Sequence, residues 1–67
     1  MIREIDINRT ANVLIGQYGE AALLEAMHRV ERYRRIGNSS GMDVWRRISD
    51  AIETLQIPPR LSTQTIH

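Results

Sequence analysis

The sequence predicts an all-α fold, a small three-helix bundle with helices at about residues 6–18, 20–36 and 41–56. In each stretch, apolar residues recur at intervals of three and four, as they do on the buried face of an amphipathic helix. Glycines lie where the first two stretches end, and a Pro-Pro pair follows the third. The segments between them are short, which makes consecutive helices antiparallel neighbours. We expect residues 1–57 to form a single helical domain and residues 58–67 to form a flexible C-terminal tail.

The first predicted helix begins near Asp6, whose carboxylate can accept hydrogen bonds from the free amides of a first turn. Five apolar residues share one side of its helical wheel: Ile7, Ala11, Leu14, Ile15 and Tyr18. We interpret Gly16 as a point where a neighbouring helix approaches closely. Gly19 is the natural residue to end the helix, because glycine enters the left-handed region without steric cost.

The second predicted helix has both an apolar stripe and a charged outer face. The stripe, with Leu24 at its edge, consists of Leu23, Ala26, Met27, Val30 and Tyr33. On the outer face, Glu25 pairs with Arg29 and Glu31 pairs with Arg35, each four residues apart with the acid first. The expected stop signal is Ile36-Gly37-Asn38, which follows Arg34 and Arg35.

The third predicted helix carries the only tryptophan of the chain. Its apolar face consists of Trp45, Ile48, Ile52 and Leu55. Ser39 and Ser40 are N-cap candidates, and Ser40 with Asp43 approximates a capping box. The helix must end near Gln56, because Ile57 precedes two prolines and a residue before proline avoids the α region.

Together the three stripes predict a structural core that consists of Leu14, Tyr18, Leu23, Met27, Val30, Trp45, Ile48, Ile52 and Leu55. If the indole of Trp45 is buried, we expect Trp45→Ala to cost ~3–5 kcal/mol, enough to unfold a domain of this size. A cooperative melt close to that of the wild type would identify Trp45 as a surface residue instead.

Three segments resemble a group of short alphaproteobacterial helical proteins whose function is unknown. The segments are A-N-x-L-I-x-x-Y-G (Ala11–Gly19), A-x-x-x-A-M-x-R (Ala22–Arg29) and G-x-x-x-W-R-R-I-x-x-A-I-x-x-L (Gly41–Leu55). That group shares a Tyr/His-Gly turn and a Gly-x-x-x-Trp-x-x-Ile segment, and the likeness covers about residues 6–56. Its second turn tends to be acidic, whereas this chain has Ile-Gly-Asn-Ser-Ser-Gly there. The resemblance implies a helical fold and a bacterial cytoplasmic setting, and it implies no site residues.

Composition argues against several kinds of site. Cysteine is absent, which excludes disulfides and thiolate metal sites, and two histidines are too few for a structural zinc site. We therefore expect no metal and no cofactor. His28 lies away from the apolar stripe without a nucleophile beside it, so we interpret it as a surface histidine and predict no catalytic residues and no enzymatic activity.

Length and hydropathy bear on location and assembly. No apolar run approaches the roughly 18 residues that cross a bilayer, and the N-terminal stretch MIREIDI lacks the apolar segment of a signal peptide. We therefore expect a cytoplasmic protein without a membrane partner. A chain of 67 residues builds a small core, and self-association remains open as a source of further stability, so we expect a homodimer.

Arginine density is the strongest feature on the predicted surface. All nine basic residues are arginine, although the net charge is +1. The candidate binding face consists of Arg29, Arg32, Arg34, Arg35, Arg46 and Arg47. One interpretation is a basic face that contacts phosphates. The other, which the interleaved acids favour, is a solvated face whose arginines pair with Glu25, Glu31, Asp43 and Asp50. On the third helix the expected pairs are Asp43 with Arg47 and Arg46 with Asp50.

The leading functional hypothesis is a small protein-interaction or regulatory module that binds another protein, or itself, through its helix faces. The alternative is a small nucleic-acid-associated protein that uses the arginine-rich face. Binding to non-specific DNA over a salt series separates the two hypotheses, because phosphate contacts weaken steeply as salt rises.

Overall fold

The computed structural model describes residues 4–57, and between these limits the chain is helical with short turns and no strand. Helix α1 spans Glu4–Tyr18, a 3₁₀ turn spans Gly19–Ala21, helix α2 spans Ala22–Arg35 and helix α3 spans Ser39–Gln56. The all-α prediction is confirmed, whereas the predicted tail at 58–67 lies outside the described residues. Within the described range, no helix combines the length and the apolar character that a membrane crossing requires.

Helix α1 begins earlier than the sequence predicts. The chain is already helical at Glu4, the first residue that the structure describes, so Asp6 lies inside the helix and is not its N-cap. The carboxylate of Asp6 still lies near the positive end of the helix dipole, where a negative charge is favourable.

The turn after α1 depends on a glycine in the left-handed region. Gly19 has φ +58°, which confirms its predicted role. Glu20 lies in the 3₁₀ turn, and α2 starts two residues later than expected, at Ala22. The side-chain amide of Gln56 donates to the carbonyl oxygen of Gly19 at 2.9 Å. The C-terminal end of α3 therefore lies beside the α1–α2 turn, and α3 runs antiparallel to α2.

Asn38 forms the turn between α2 and α3. Its amide donates to the carbonyl of Tyr33 at 2.9 Å, and the amide of Gly37, at φ +77°, donates to Arg34 at 3.1 Å. These two bonds close the last turn of α2 in a Schellman motif. The side-chain oxygen of Asn38 also accepts from the amide of Gly41 at 2.8 Å, which makes Asn38 the N-cap of α3.

The predicted serine caps are therefore wrong. Ser39 and Ser40 lie inside the first turn of α3, and the capping box of Ser40 with Asp43 is replaced by the asparagine cap. The reason is the length of the connection, since the Schellman motif already brings Asn38 to the point where the next helix starts.

We expect Asn38→Ala to lower the free energy of unfolding by about 1 kcal/mol, because it removes the bond from the Gly41 amide. Ser40→Ala is the matched control and should change stability by less than about 0.5 kcal/mol. Urea unfolding followed by circular dichroism measures both values. Equal losses in the two variants would contradict the assignment of the cap.

The core lies where α1 and α2 meet α3. Its buried residues are Ile7, Ala11, Leu14, Ala22, Ala26, Ile48 and Ile52. Of the predicted core, Leu14, Ile48 and Ile52 are buried, while Leu23, Val30 and Trp45 are half-buried. The largest side chains that are fully enclosed are Ile48 and Ile52, so α3 provides the centre of the core.

Three residues assigned to the core from sequence are exposed. Tyr18 is 40% exposed and Leu55 is 51% exposed, since each lies in the last turn of its helix, where the neighbouring helices no longer cover it. Met27 is 53% exposed because α2 turns Ala22 and Ala26 toward α3 and leaves Met27 at the flank.

Close approach between helices occurs at a different glycine from the one the sequence indicates. A Cβ atom added to Gly16 would meet nothing within 4 Å, so the interpretation of Gly16 as a contact point is wrong. A Cβ atom on Gly41 would lie 2.5 Å from Cδ1 of Tyr33. The Tyr33 ring therefore packs directly on the backbone of α3 at its first turn.

Candidate functional site

Arg29 is part of the packing between α2 and α3. Its Nε donates to Glu25 at 3.0 Å, as the spacing predicts, and its guanidinium lies 4.7 Å from the centroid of the Trp45 ring. A cation above an indole face is attracted by the negative potential of the ring. Arg29 therefore covers the half-buried tryptophan and is engaged within the chain.

Glu31 holds two arginines at the C-terminal end of α2. Arg34 donates to both of its carboxylate oxygens, at 2.5 and 3.2 Å, and the Nε of Arg35 lies 3.8 Å away. The hydrogen bond from Arg34, helped by the positive charges of both arginines, holds the pKa of Glu31 below its ordinary value of 4.5. The pair with Arg35 forms as predicted, but Arg34 is the closer partner.

The arginines of α3 behave differently from each other. Arg47 pairs with Asp43 at 3.3 Å, as predicted. The expected pair between Arg46 and Asp50 does not form. On α2, Arg32 also has no carboxylate partner among the residues that the structure describes. In a helix, a base placed before an acid is the less favourable order, which explains the missing pair.

The six candidate arginines do not form one face. Arg47 lines a groove between α1 and α3, while Arg32 and Arg35 line a shallow groove of about 350 Å³ on α2, together with the exposed His28. Arg46 is not among the residues that line either groove. The positive charge is thus divided among separate surfaces.

The groove between α1 and α3 has a volume of about 600 Å³ and is open to solvent. Ile7, Ala51 and Leu55 provide apolar walls. The polar residues that line it are Asn8, Arg47, Asp50 and Thr54. The groove offers apolar contact and a few hydrogen bonds, and no nucleophile–base pair lies among these lining residues. Across residues 4–57, no group of three histidine, aspartate or glutamate side chains lies together as a metal site would require.

Helix α2 buries small apolar side chains and exposes two large ones. Ala22 and Ala26 are completely buried, whereas Leu24 is 56% exposed and Met27 is 53% exposed. The two large residues are three positions apart, so they are neighbours on the helix surface. Alanines at the contact allow α2 to lie close to α3, and they leave the larger apolar side chains in solvent.

The spacing of apolar residues assigned Met27 to the core, in a stripe with Leu23, Ala26, Val30 and Tyr33. The face of α2 that packs against α3 is rotated from that stripe, because Ala22 and Arg29 lie on it beside Ala26 and Tyr33. Two alanines four residues apart were the signal in the sequence for this orientation, since small residues permit close helix contact.

Comparison with protein-family models, with curated proteins and with solved structures finds no match to this chain. Its function must therefore be inferred from its own surfaces.

Proposed function

We propose that this chain is a small cytoplasmic protein-interaction module, without catalytic activity, that binds its partner through the exposed surface of α2 around Leu24 and Met27. The observation that carries the proposal is the exposure of Leu24 and Met27 beside the buried alanines of the same helix. A helix that served only its own core would turn its largest apolar residues inward.

The free energy available at this face supports the proposal. Full burial of a leucine or methionine side chain contributes about 1.5–3 kcal/mol. More than half of each of Leu24 and Met27 is still exposed. A partner that covered both side chains would therefore gain about 1.5–3 kcal/mol of binding free energy in total. This gain is absent from the isolated chain and is available on binding.

The proposal includes a three-helix bundle as the scaffold. All three helices contribute buried residues, and the bond from Gln56 to Gly19 ties the end of α3 to the first turn. A scaffold of this kind holds α2 in place, so that its outer face is ordered before the partner arrives.

Photo-crosslinking in the cells that produce the protein tests the proposed face. We expect a photoreactive residue at position 24 or 27 to form a covalent adduct with a macromolecule. Val13 is the matched control, because it is an apolar residue of α1 with 51% exposure. No adduct from α2, or equal adducts from both helices, would overturn the proposal.

The second candidate function, nucleic-acid binding, rests on Arg32 and Arg46. These two side chains form no ion pair with the carboxylates of the described residues. Arg29, Arg34 and Arg47 are held by acids, which reduces the charge available to phosphates. Titration with non-specific DNA over a salt series decides between the functions: a steep loss of affinity would favour nucleic acid, and no binding at low salt would remove this candidate.

A further inference from the structure

Three nitrogen-bearing side chains line the shallow groove on α2. His28, Arg32 and Arg35 are four and then three positions apart, so they lie on one side of the helix, and all three are exposed. The remaining lining residues are Glu31 and Ile36, and these five residues define the α2 groove. Its volume of about 350 Å³ leaves room for a small polyatomic group beside the three donors.

The single carboxylate of the α2 groove does not occupy its guanidinium groups. Arg34, which is not a lining residue, donates to both oxygens of Glu31. The Nε of Arg35 lies 3.8 Å from Glu31, which is beyond hydrogen-bond distance. Arg32 forms no ion pair within the part of the chain that the structure describes. The charge of Glu31 is therefore balanced by Arg34, and two positive charges remain in the groove.

These guanidinium groups are also not needed to cap α2. Arginines in the last turn of a helix can bind its free carbonyl oxygens. Here backbone amides of the following turn already donate to the carbonyls of Arg32, Tyr33 and Arg34. The N–H groups of Arg32 and Arg35 are therefore available to a ligand.

We infer that the α2 groove is a binding site for a phosphate monoester group. Two guanidinium charges match the charge of nearly −2 that such a group carries at neutral pH. Its three terminal oxygens can accept from three side chains, and the neutral imidazole of His28 provides one N–H donor beside the two arginines. A carboxylate has one charge and two oxygens, so it matches this set of donors less well. The site is separate from the surface around Leu24 and Met27, since neither residue lines the groove.

Titration of the full chain with inorganic phosphate, followed by heteronuclear NMR, measures binding at this site. The groove is shallow and exposed charge pairs are individually weak, so we expect a dissociation constant on the order of millimolar. The amide shifts should be largest between residues 28 and 36, and they should saturate. Acetate at the same ionic strength should give no saturating shift. Absence of saturation with phosphate, or equal shifts with acetate, overturns the site.

Substitution of single arginines separates the groove from general charge attraction. We expect Arg32→Gln and Arg35→Gln each to raise the dissociation constant by roughly fivefold, because each removes one charge and its paired donors. Arg46→Gln is the matched control and should leave the constant unchanged. Arg46 is also exposed and also lacks an ion pair among the described residues, but it lines neither groove. Circular dichroism melts verify that the variants fold, and equal weakening by all three would overturn the site.

Two further probes identify the source of the phosphate group. One is glycerol phosphate, a free small molecule, and the other is a short peptide that contains phosphoserine. Tighter binding of glycerol phosphate than of the peptide assigns the groove to a phosphorylated small molecule. Tighter binding of the peptide assigns it to a phosphorylated side chain of a protein. Failure of both probes to bind overturns the site and leaves the crosslinking result at positions 24 and 27 unaffected, so the two proposals fail separately.

Discussion

Ile52→Ala is expected to unfold most of the protein at 25 °C. Ile52 of α3 is fully buried, in the cluster that joins all three helices. Truncation of a buried isoleucine costs about 2–5 kcal/mol, through lost burial and the cavity that remains. A single core in a chain of this size supplies only about 3–5 kcal/mol of stability, so the loss is comparable to the total.

Leu55→Ala is the control for this prediction. Leu55 lies three residues further along α3 and is 51% exposed, so its truncation should cost less than about 1 kcal/mol. Urea unfolding with far-ultraviolet circular dichroism measures both. Similar losses would show that the core extends to the end of α3, contrary to the structure.

The structure also changes the expectation for the tryptophan. Trp45 is half-buried and lies beneath the guanidinium of Arg29, so the condition for a loss of ~3–5 kcal/mol is not met. Ile48 and Ile52 lie inside the core, whereas Trp45 packs against the core and is only partly covered.

Gly41→Ala is expected to destabilise the fold by about 1–3 kcal/mol, although alanine is the better helix former. The added Cβ atom would lie 2.5 Å from Cδ1 and 2.9 Å from Cγ of Tyr33. Because Cγ is at the base of the ring, the clash cannot be relieved by moving only the end of the side chain. Either the ring or the backbone of α3 must shift.

Two comparisons isolate this clash from helix propensity. Gly16→Ala lies in open space within α1 and should stabilise the protein by about 0.5–1 kcal/mol. In a Tyr33→Ala background, Gly41→Ala should also become stabilising, because the ring is gone. Thermal unfolding of the four variants measures the coupling, and a loss at Gly41 that persists without the Tyr33 ring would refute the contact.

Local signals in the sequence predicted much of the helix chemistry. Gly19 and Gly37 were identified as helix stops, and the pairs of Glu25 with Arg29 and Asp43 with Arg47 were expected from their spacing. Each of these features depends on residues within four positions of one another. Such contacts are determined by helix geometry alone.

The start of α3 was predicted less well, although it too is local. Two serines matched the N-cap preference, and Asn38 was assigned to the end of the preceding helix. The structure shows that Asn38 serves both helices, since its amide closes α2 and its side chain opens α3. Cap preferences describe one helix end at a time, so they do not reveal a residue shared by two.

The candidate binding surface was the part least accessible to sequence reasoning. Six arginines close together in the sequence were treated as one face, but Arg47 lines the groove beside α1 and Arg32 lines a groove on α2. Where a side chain of one helix lies relative to another helix depends on their rotation and crossing, which the spacing within each helix does not specify.

The sequence by itself determined the all-α class, the two glycine stops and the ion pairs along each helix, because these follow from hydrogen bonding and side-chain spacing within a few residues. Only the tertiary structure decided which face of α2 is buried. The face that packs on α3 is rotated from the predicted stripe, so that Ala22 and Ala26 are buried while Met27 is exposed. Leu24 and Met27 are exposed for that reason, and the proposed interaction surface is a consequence of how the helices pack.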